Sequence, residues 1–515
     1  MSRWGSRLWG ARARIVPVAL ALGCLAIVGT HLSMPYPSDQ LNYMNAAARF
    51  PSPLTSSHEM QQLTRFGLLI PVRLAIMVFG YSQAAYYVVP LLGTLALMLG
   101  TYAVGTLLFS RTVGVAAAVT VIAATPVFED SSQLLPDILA TGLFTLALAM
   151  ALAVRRGTLP ARGWVPAVLG LVLGWSYLVR EFIVFLWPLI PVIVYRRVRW
   201  TGLVRLVVPV VALVLAETLL CWALYGDPLA RVKAITGQGQ GYSPPEIAGT
   251  FRDLPRHEYL LRLPTTLNDY RDGAWLILLL GLTLLGGVVR PRRFAVPAAW
   301  FALLWVPLTL LGGVLDPSRP RLRLQLIRYW FPLFPAFVIG GLGAIWLAAS
   351  VLSERAGARS ANDRVRRATT LVVPATAVLL TAVLTGTTAA RGWWADPMTR
   401  ATQLESLRSW LAGHDTGSPV VWADQRTDGL LRVYQDGPFG GRAWHGTILT
   451  ATPGGAVPAP GDLVVFFDAE RGRICGICRQ YARLNWGNPP LPRPGWRQVY
   501  ATRDGVVRLY AVGQG

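Results

Sequence analysis

The stretch Pro35 to Arg65, PYPSDQLNYMNAAARFPSPLTSSHEMQQLTR, places Asp39, His58, Glu59 and Arg65 directly after the first apolar run of a chain poor in charge. Asp39 is followed by Gln40, Tyr43 and Ala47 at helical spacing, so a short interfacial helix is expected to begin there. Read structurally, Ser38 or Asp39 caps that helix. Read chemically, Asp39 is a general base, because a carboxylate at a water–lipid boundary is partly desolvated and so tuned toward proton transfer. Asp137 in SSQLLPDILATGLF has the same two readings. It either answers the dipole of the helix that starts at Pro136 or faces a cavity shared with Asp39.

Arg65, Arg180 and Arg328 each fall at the end of an apolar run. An arginine there can simply snorkel toward headgroups. Three on one face, beside carboxylates, also suit a phosphate clamp, because the guanidinium fork binds phosphate oxygens in pairs. Glu181 beside Arg180, Tyr329 beside Arg328 and Tyr43 on the Asp39 helix complete the candidate substrate-binding set. His58 and Glu59 are weak metal candidates: neighbours in sequence point apart on a helix, and a catalytic metal needs about three protein ligands. No cofactor is expected, and a divalent metal is left open.

Those residues need a scaffold, and the composition says which kind. The chain has 515 residues, 53% hydrophobic and 14% charged, with 48 basic against 26 acidic side chains and a net charge of +22. Repeated apolar runs, each long enough to cross roughly 30 Å of hydrocarbon, make it polytopic. Lys233 is the sole lysine, so the excess is arginine, and it gathers in short loops between apolar runs. That pattern follows the positive-inside rule and argues against a nucleic-acid surface. The first run, Ile15 to about Thr30, lacks a small-x-small cleavage site and reads as a retained helix, not a signal peptide.

With the N-terminus cytoplasmic, about eleven crossings are expected. They lie near 15–32, 83–109, 112–128, from Asp137 to Arg155, 164–179, up to Arg196, 203–224, up to Arg290, 295–314, up to Arg355, and 369–389. Loops 33–82, 225–273 and 315–328 are then outside. Segment 65–82, interrupted by Pro71 and Arg73, reads as interfacial. The fold class is therefore mainly α: a polytopic membrane helix bundle over 1–390, with interfacial helices in the first outer loop.

Residues 391–515 differ in kind and suggest a small α/β extracytoplasmic domain. PVVWAD and DLVVFFD read as buried strands, and RQVYATRDGVVRLYAV as a hairpin turning at Asp504-Gly505. Leu404, Leu407 and Leu411 mark one helical face. Cys24 and Cys221 sit in apolar runs as packing residues, whereas Cys475 and Cys478 suit a local disulfide in an oxidising compartment.

The order of motifs resembles the GT-C superfamily of membrane glycosyltransferases, in particular its protein O-mannosyltransferase-like and aminoarabinose-transferase-like branches. The resemblance rests on PYPSDQLNYMNAA, TRFGLLIPVRLAIMVFGYSQAAYYVVPLL, YAVGTLLFSRTVGVAAA, SSQLLPDILATGLFTLALA, GWSYLVREFIVFLWPLIP and IRYWFPLFPAFVIG, across about residues 15–350. It implies sugar transfer from a polyprenyl-phosphate carrier to an acceptor outside the cytoplasm, at a bacterial inner membrane. It also implies that Asp39 matches the catalytic first-loop aspartate, Asp137 the second outer-loop aspartate, and Arg328 a carrier-phosphate contact. Many relatives carry Asp-Glu in the first loop, whereas here Gln40 follows Asp39.

The expected reaction is a single inverting displacement, with a hexosyl or pentosyl donor and a protein, lipid or envelope-glycan acceptor. The rivals are a flippase or transporter for the lipid-linked sugar and a non-catalytic assembly factor for envelope polymers. Against a transporter, the chain shows no inverted repeat, and its acids cluster at the outer ends of the spans, Glu217 alone lying near mid-span.

Overall fold

Apolar residues repeat with a helical period through most of the chain, and the computed structural model is correspondingly helical. It describes residues 3–32, 39–51, 60–236, 249–357 and 363–395 of the bundle. In the C-terminal region it describes 402–414, 420–425, 427–428, 431, 444, 446–452, 454–467, 478–487 and 491–513.

The helices run α1 (Arg3–Gly29), α2 (Asp39–Arg49), α3 (Met60–Leu63), α4 (Phe66–Phe79), α5 (Gln83–Leu108), α6 (Arg111–Ala123), α7 (Thr125–Asp130), α8 (Pro136–Arg156) and α9 (Val165–Val179). A 3-10 turn (Glu181–Leu186) leads to α10 (Leu189–Val194), α11 (Trp200–Tyr225), α12 (Ala230–Thr236), α13 (Arg256–Leu260), α14 (Arg262–Asn268), α15 (Gly273–Val289) and α16 (Pro291–Thr309). A π turn, Leu310–Val314, and a 3-10 segment, Ile327–Leu333, precede α17 (Phe334–Gly357) and α18 (Asp363–Ala395).

Among the described residues, six helices are long and apolar enough to cross a membrane, and six more are apolar but shorter. The chain is thus a multi-pass helical protein. Two expected spans are broken. The run after Arg180 is a 3-10 turn plus one short helix, and the run 112–128 bends at Ala124 into α6 and α7. Segment 66–79 is a continuous helix of 14 residues despite Pro71, packed against α5 and α9.

Burial separates the bundle's centre from its rim. Of the apolar window of α8, 78% is buried in protein, against 17% for α11, so α8 is the axis and α11 lies at the rim. Small residues let α5 reach α8. A Cβ on Gly142 would lie 2.6 Å from the carbonyl oxygen of Gly93. The end of α8 that begins at Asp137 is thereby fixed against the rest of the bundle.

The C-terminal region forms one mixed sheet in the order β2-β1-β3-β5-β4, from β1 (Val421–Asp424), β2 (Ile448–Ala451), β3 (Leu463–Phe467), β4 (Trp496–Ala501) and β5 (Val507–Val512). Strand β1 pairs in parallel with β2 and β3, and β5 pairs antiparallel with β3 and β4. The strands expected at PVVWAD and DLVVFFD are β1 and β3, and the expected hairpin is β4–β5. Its turn is made by Gly505 at φ 68 and by Asp504 Oδ1, which accepts from the Val506 N–H. Trp422, Val464, Phe466 and Tyr510 cluster on one face. Helix α19 (Thr402–Gly413) touches β5, with Leu407 and Leu411 buried, as their spacing predicts. Strand β2 had no expectation. Cys24 and Cys221 are buried free thiols, while Cys475 and the side chain of Cys478 lie outside the described residues.

Candidate active site

Loop ends and helix ends bring the predicted charges together. Asp39 opens α2, and its Oδ2 lies 2.9 Å from Arg328 Nη2. The Gln62 amide donates to its other oxygen at 3.3 Å. This pair is part-exposed, 32% for Asp39 and 25% for Arg328. Its neighbour is closed: Arg180 Nε stands 3.1 Å from Asp137 Oδ1, with 3% and 1% exposure. The two pairs meet through aromatic rings. The Arg180 guanidinium lies 4.8 Å from the ring centres of both Tyr329 and Phe182, and Tyr329 follows Arg328.

Each position has a local cause. Pro136 at the start of α8 leaves Asp137 in the first turn, where the helix dipole favours a carboxylate. The loop before it is tied down by the Leu134 N–H, which donates to the Tyr86 hydroxyl at 3.1 Å. Arg180 ends α9 in extended backbone, and the next residues wind as a 3-10 turn, so Glu181 is delivered beside it. Gly67 packs directly on the backbone of Leu178 and Val179, where any Cβ would fall within 2.6 Å. That approach carries Arg65 to Glu181, at 3.5 Å. Arg65 also donates to the Tyr43 hydroxyl. Burial pushes the Tyr43 phenol up to about 12, so it stays protonated. The Tyr225 hydroxyl, donating to the Leu63 carbonyl at 2.9 Å, pins the segment before Arg65 to the end of α11.

All eight described candidates, Asp39, Tyr43, Arg65, Asp137, Arg180, Glu181, Arg328 and Tyr329, therefore belong to one network. His58 and Glu59 lie outside the described residues. Among the described residues no group of three or more His, Cys, Asp or Glu side chains is placed to hold a metal ion.

The network also contains residues the sequence reading missed. Arg231 of α12 reaches Glu181 at 3.7 Å and pairs with Glu217. It also donates to the Tyr177 carbonyl at 2.7 Å. Glu217 is not an isolated mid-span acid, since it sits two turns from the end of α11 and joins this cluster. The signal was available: a lone acid on an apolar helix requires a buried counter-charge, and Arg231 is among the nearest downstream cations. Gln62, and Gln133 paired with Gln40, gave no such signal.

Four carboxylates thus face four guanidiniums, but their hydrogen bonds are incomplete. The Asp137–Arg180 contact is ionic without being aligned, because neither Asp137 oxygen nor Arg180 Nε and Nη2 has a hydrogen-bond partner among the described residues. Arg65 Nε and Nη2 and Arg231 Nε are likewise unpartnered. Buried polar groups are normally satisfied. These groups are closed off from the surface, so the open face of the cluster is the Asp39–Arg328 pair.

The chain shares its fold with solved structures of GT-C membrane glycosyltransferases. It is similar to the structure of ArnT from Cupriavidus metallidurans bound to undecaprenyl phosphate, with a TM-score of 0.55 at 12% identity, over 97% of this chain and 99% of that one. It is also similar to the Archaeoglobus fulgidus oligosaccharyltransferase tethered with an acceptor peptide containing the NVT sequon. There the TM-score is 0.51 at 14% identity, over 100% of this chain and 75% of that one. At such identities the likeness is one of fold. No family model and no curated protein matches the sequence.

Proposed function

We propose that the protein is a glycosyltransferase that moves a sugar from a polyprenyl-phosphate carrier to an acceptor hydroxyl on the extracytoplasmic side of the membrane. The observation that carries this reading is the Asp39–Arg328 pair, a base and a phosphate-binding cation side by side, part-open, on the rim of a buried charged cluster. The fold is shared with a transferase bound to undecaprenyl phosphate, which supports the same donor class.

The chemistry follows from the pairing. In an inverting displacement the attacking oxygen and the leaving phosphate sit on opposite faces of the anomeric carbon. Asp39 and Arg328 cannot then stay in contact while each serves one face. The donor phosphate takes Arg328 from Asp39, and the freed carboxylate receives the acceptor's proton. The acceptor oxygen forms the new bond to the anomeric carbon as the carbon–oxygen bond to phosphate breaks, and polyprenyl phosphate leaves with the electron pair. Arg328 stabilises the charge developing on the leaving group. Arg180 and Arg65, held by Asp137, Glu181 and the rings of Tyr329 and Phe182, set the wall of the site behind this pair.

The test uses membranes containing the full chain, a labelled polyprenyl-phosphate sugar and an extract of acceptors. The wild type is expected to release polyprenyl phosphate with loss of label from the carrier, and Asp39→Asn to abolish that release. Undiminished release by Asp39→Asn removes the proposed base. Movement of intact lipid-linked sugar across the bilayer without its consumption replaces transfer by transport.

A further inference from the structure

Arginines crowd both ends of this bundle. Arg155 and Arg156, at the far end of α8 from Asp137, mark one end, together with Arg292 and Arg293 in the first turn of α16. The site end carries a second concentration, in segments 250–262 and 314–323: Arg252, Arg256, Arg262, Arg319, Arg321 and Arg323. The positive-inside rule accounts for one end of a bundle, whichever way it is inserted, and leaves the other unexplained.

The two segments are sewn into one platform. The Asp253 N–H donates to the Pro317 carbonyl at 2.8 Å. The Tyr259 hydroxyl donates to the carbonyls of Phe251 at 3.0 Å and Pro317 at 3.3 Å. Gly313, at φ 142, lets the Tyr259 ring lie against its backbone, where any Cβ would meet the ring at 2.2 Å. Phe251 is buried with the guanidiniums of Arg323 and Arg252 at 4.8 and 5.3 Å from its ring centre. Like charges are thus gathered, not dispersed.

Two of the cations are anchored by one edge. Arg256 Nε donates to the Val314 carbonyl at 3.2 Å, and Arg262 Nη2 to the Thr250 carbonyl at 2.7 Å. Among the described residues, no carboxylate forms an ion pair with the guanidinium of Arg256, Arg262, Arg319 or Arg321. Asp316, in the same segment, accepts from the N–H and hydroxyl of Ser318 and from the backbone N–H of Arg319. Between the arginines stand exposed leucines, Leu260, Leu261 and Leu315, at 39, 53 and 64%. One segment follows the π turn at the end of α16, and the other leads through α14 into α15.

We propose that this platform binds the anionic headgroup of a membrane phospholipid, with its guanidiniums on the phosphate and its leucines in the acyl region. Charge complementarity sets the sign of the partner. The interleaved leucines choose a lipid over a soluble polyanion, which would leave them in water. An anionic surface attracts each nearby arginine by a factor of about five in affinity, so three together are worth on the order of a hundredfold.

The experiment titrates the purified full chain, in neutral detergent and without sugar donor, with mixed phosphatidylglycerol and phosphatidylcholine, and counts bound lipids by native mass spectrometry. The wild type is expected to retain phosphatidylglycerol in preference to phosphatidylcholine. Arg256→Gln/Arg319→Gln/Arg321→Gln is expected to lose at least about tenfold of that preference. Arg292→Gln/Arg293→Gln, at the other end, is expected to keep it, and the triple Arg→Lys variant to keep most of it. Equal retention of the two lipids overturns the proposal, as does an equal loss in the Arg292/Arg293 control. Displacement of phosphatidylglycerol by inorganic polyphosphate at matched phosphate concentration reassigns the platform to a soluble polyanion. Because no donor is present, the result stands apart from the transferase reading.

Discussion

Two ion pairs lie a few residues apart in space and have the same chemistry, yet they are built for different ends. Asp137–Arg180 is sealed, at 1% and 3% exposure, under the rings of Tyr329 and Phe182. Asp39–Arg328 is about a quarter to a third exposed and carries an additional amide from Gln62. Burying an ion pair costs desolvation and makes each partner hostage to the other, whereas an exposed pair is cheap to form and cheap to break. The sealed pair is therefore suited to hold shape. The open pair is suited to exchange one anion for another, which is what a site accepting a lipid phosphate must do.

The largest expected effect tests that division on the open side. Asp39→Asn keeps the volume and removes the base, and transfer should fall on the order of 10³- to 10⁴-fold. The midpoint of thermal unfolding in detergent should stay with the wild type. A variant that loses both activity and fold would turn Asp39 into another structural acid and erase the contrast.

Next comes the sealed side. Arg180→Leu leaves Asp137 buried without its counter-charge and should destabilise the protein by roughly 3–4 kcal/mol. Adding Asp137→Leu should return much of that loss, because an apolar pair of similar size is tolerated where half an ion pair is not. If the single and double variants unfold alike, the two residues do not act as a pair.

A smaller effect probes the geometry of the open pair. Arg328→Lys preserves the charge and loses the two-pronged fork. About a tenfold loss in kcat/KM is expected, carried mainly by KM for the lipid donor. A change confined to the acceptor's KM would move Arg328 away from the carrier phosphate.

Much of this arrangement could be seen in the sequence because charge is conspicuous in an apolar chain. Asp39, Asp137, Arg180 and Arg328 each interrupt or end an apolar run, and counting crossings put them at one end of a bundle. What could not be read depends on chain that folds back. Arg231 meets Glu181 and Glu217 only because α12 returns over the end of α11. Gln62 reaches Asp39 across 23 residues of sequence separation. What the crossing count could not show is where a hydrophobic run bends without ending, as at Arg180 and Ala124. Hydropathy sums cannot register such bends. In the sheet, β1, β3 and the β4–β5 hairpin announce themselves by β-branched and aromatic residues and by Asp504-Gly505. Strand β2, only four residues long, is a strand because β1 offers it an edge in parallel register.

The smallest effect is the sharpest test of the comparison, since it asks for almost nothing. A double-mutant cycle with Asp39→Asn and Arg328→Gln, scored by unfolding free energy, should give a coupling below about 1 kcal/mol, as exposed pairs do. The same cycle scored by transfer should be strongly non-additive. Arg328 still binds the carrier phosphate once the base is gone, so the double variant should be worse than Asp39→Asn alone, but by much less than the product of the two single losses. A large coupling in stability would mean that the pair is a structural clasp and that the donor phosphate binds elsewhere. A small coupling in both would leave Arg328 contacting Asp39 without sharing its task. Only weak coupling in folding together with strong coupling in turnover fits a pair that rests closed and works open.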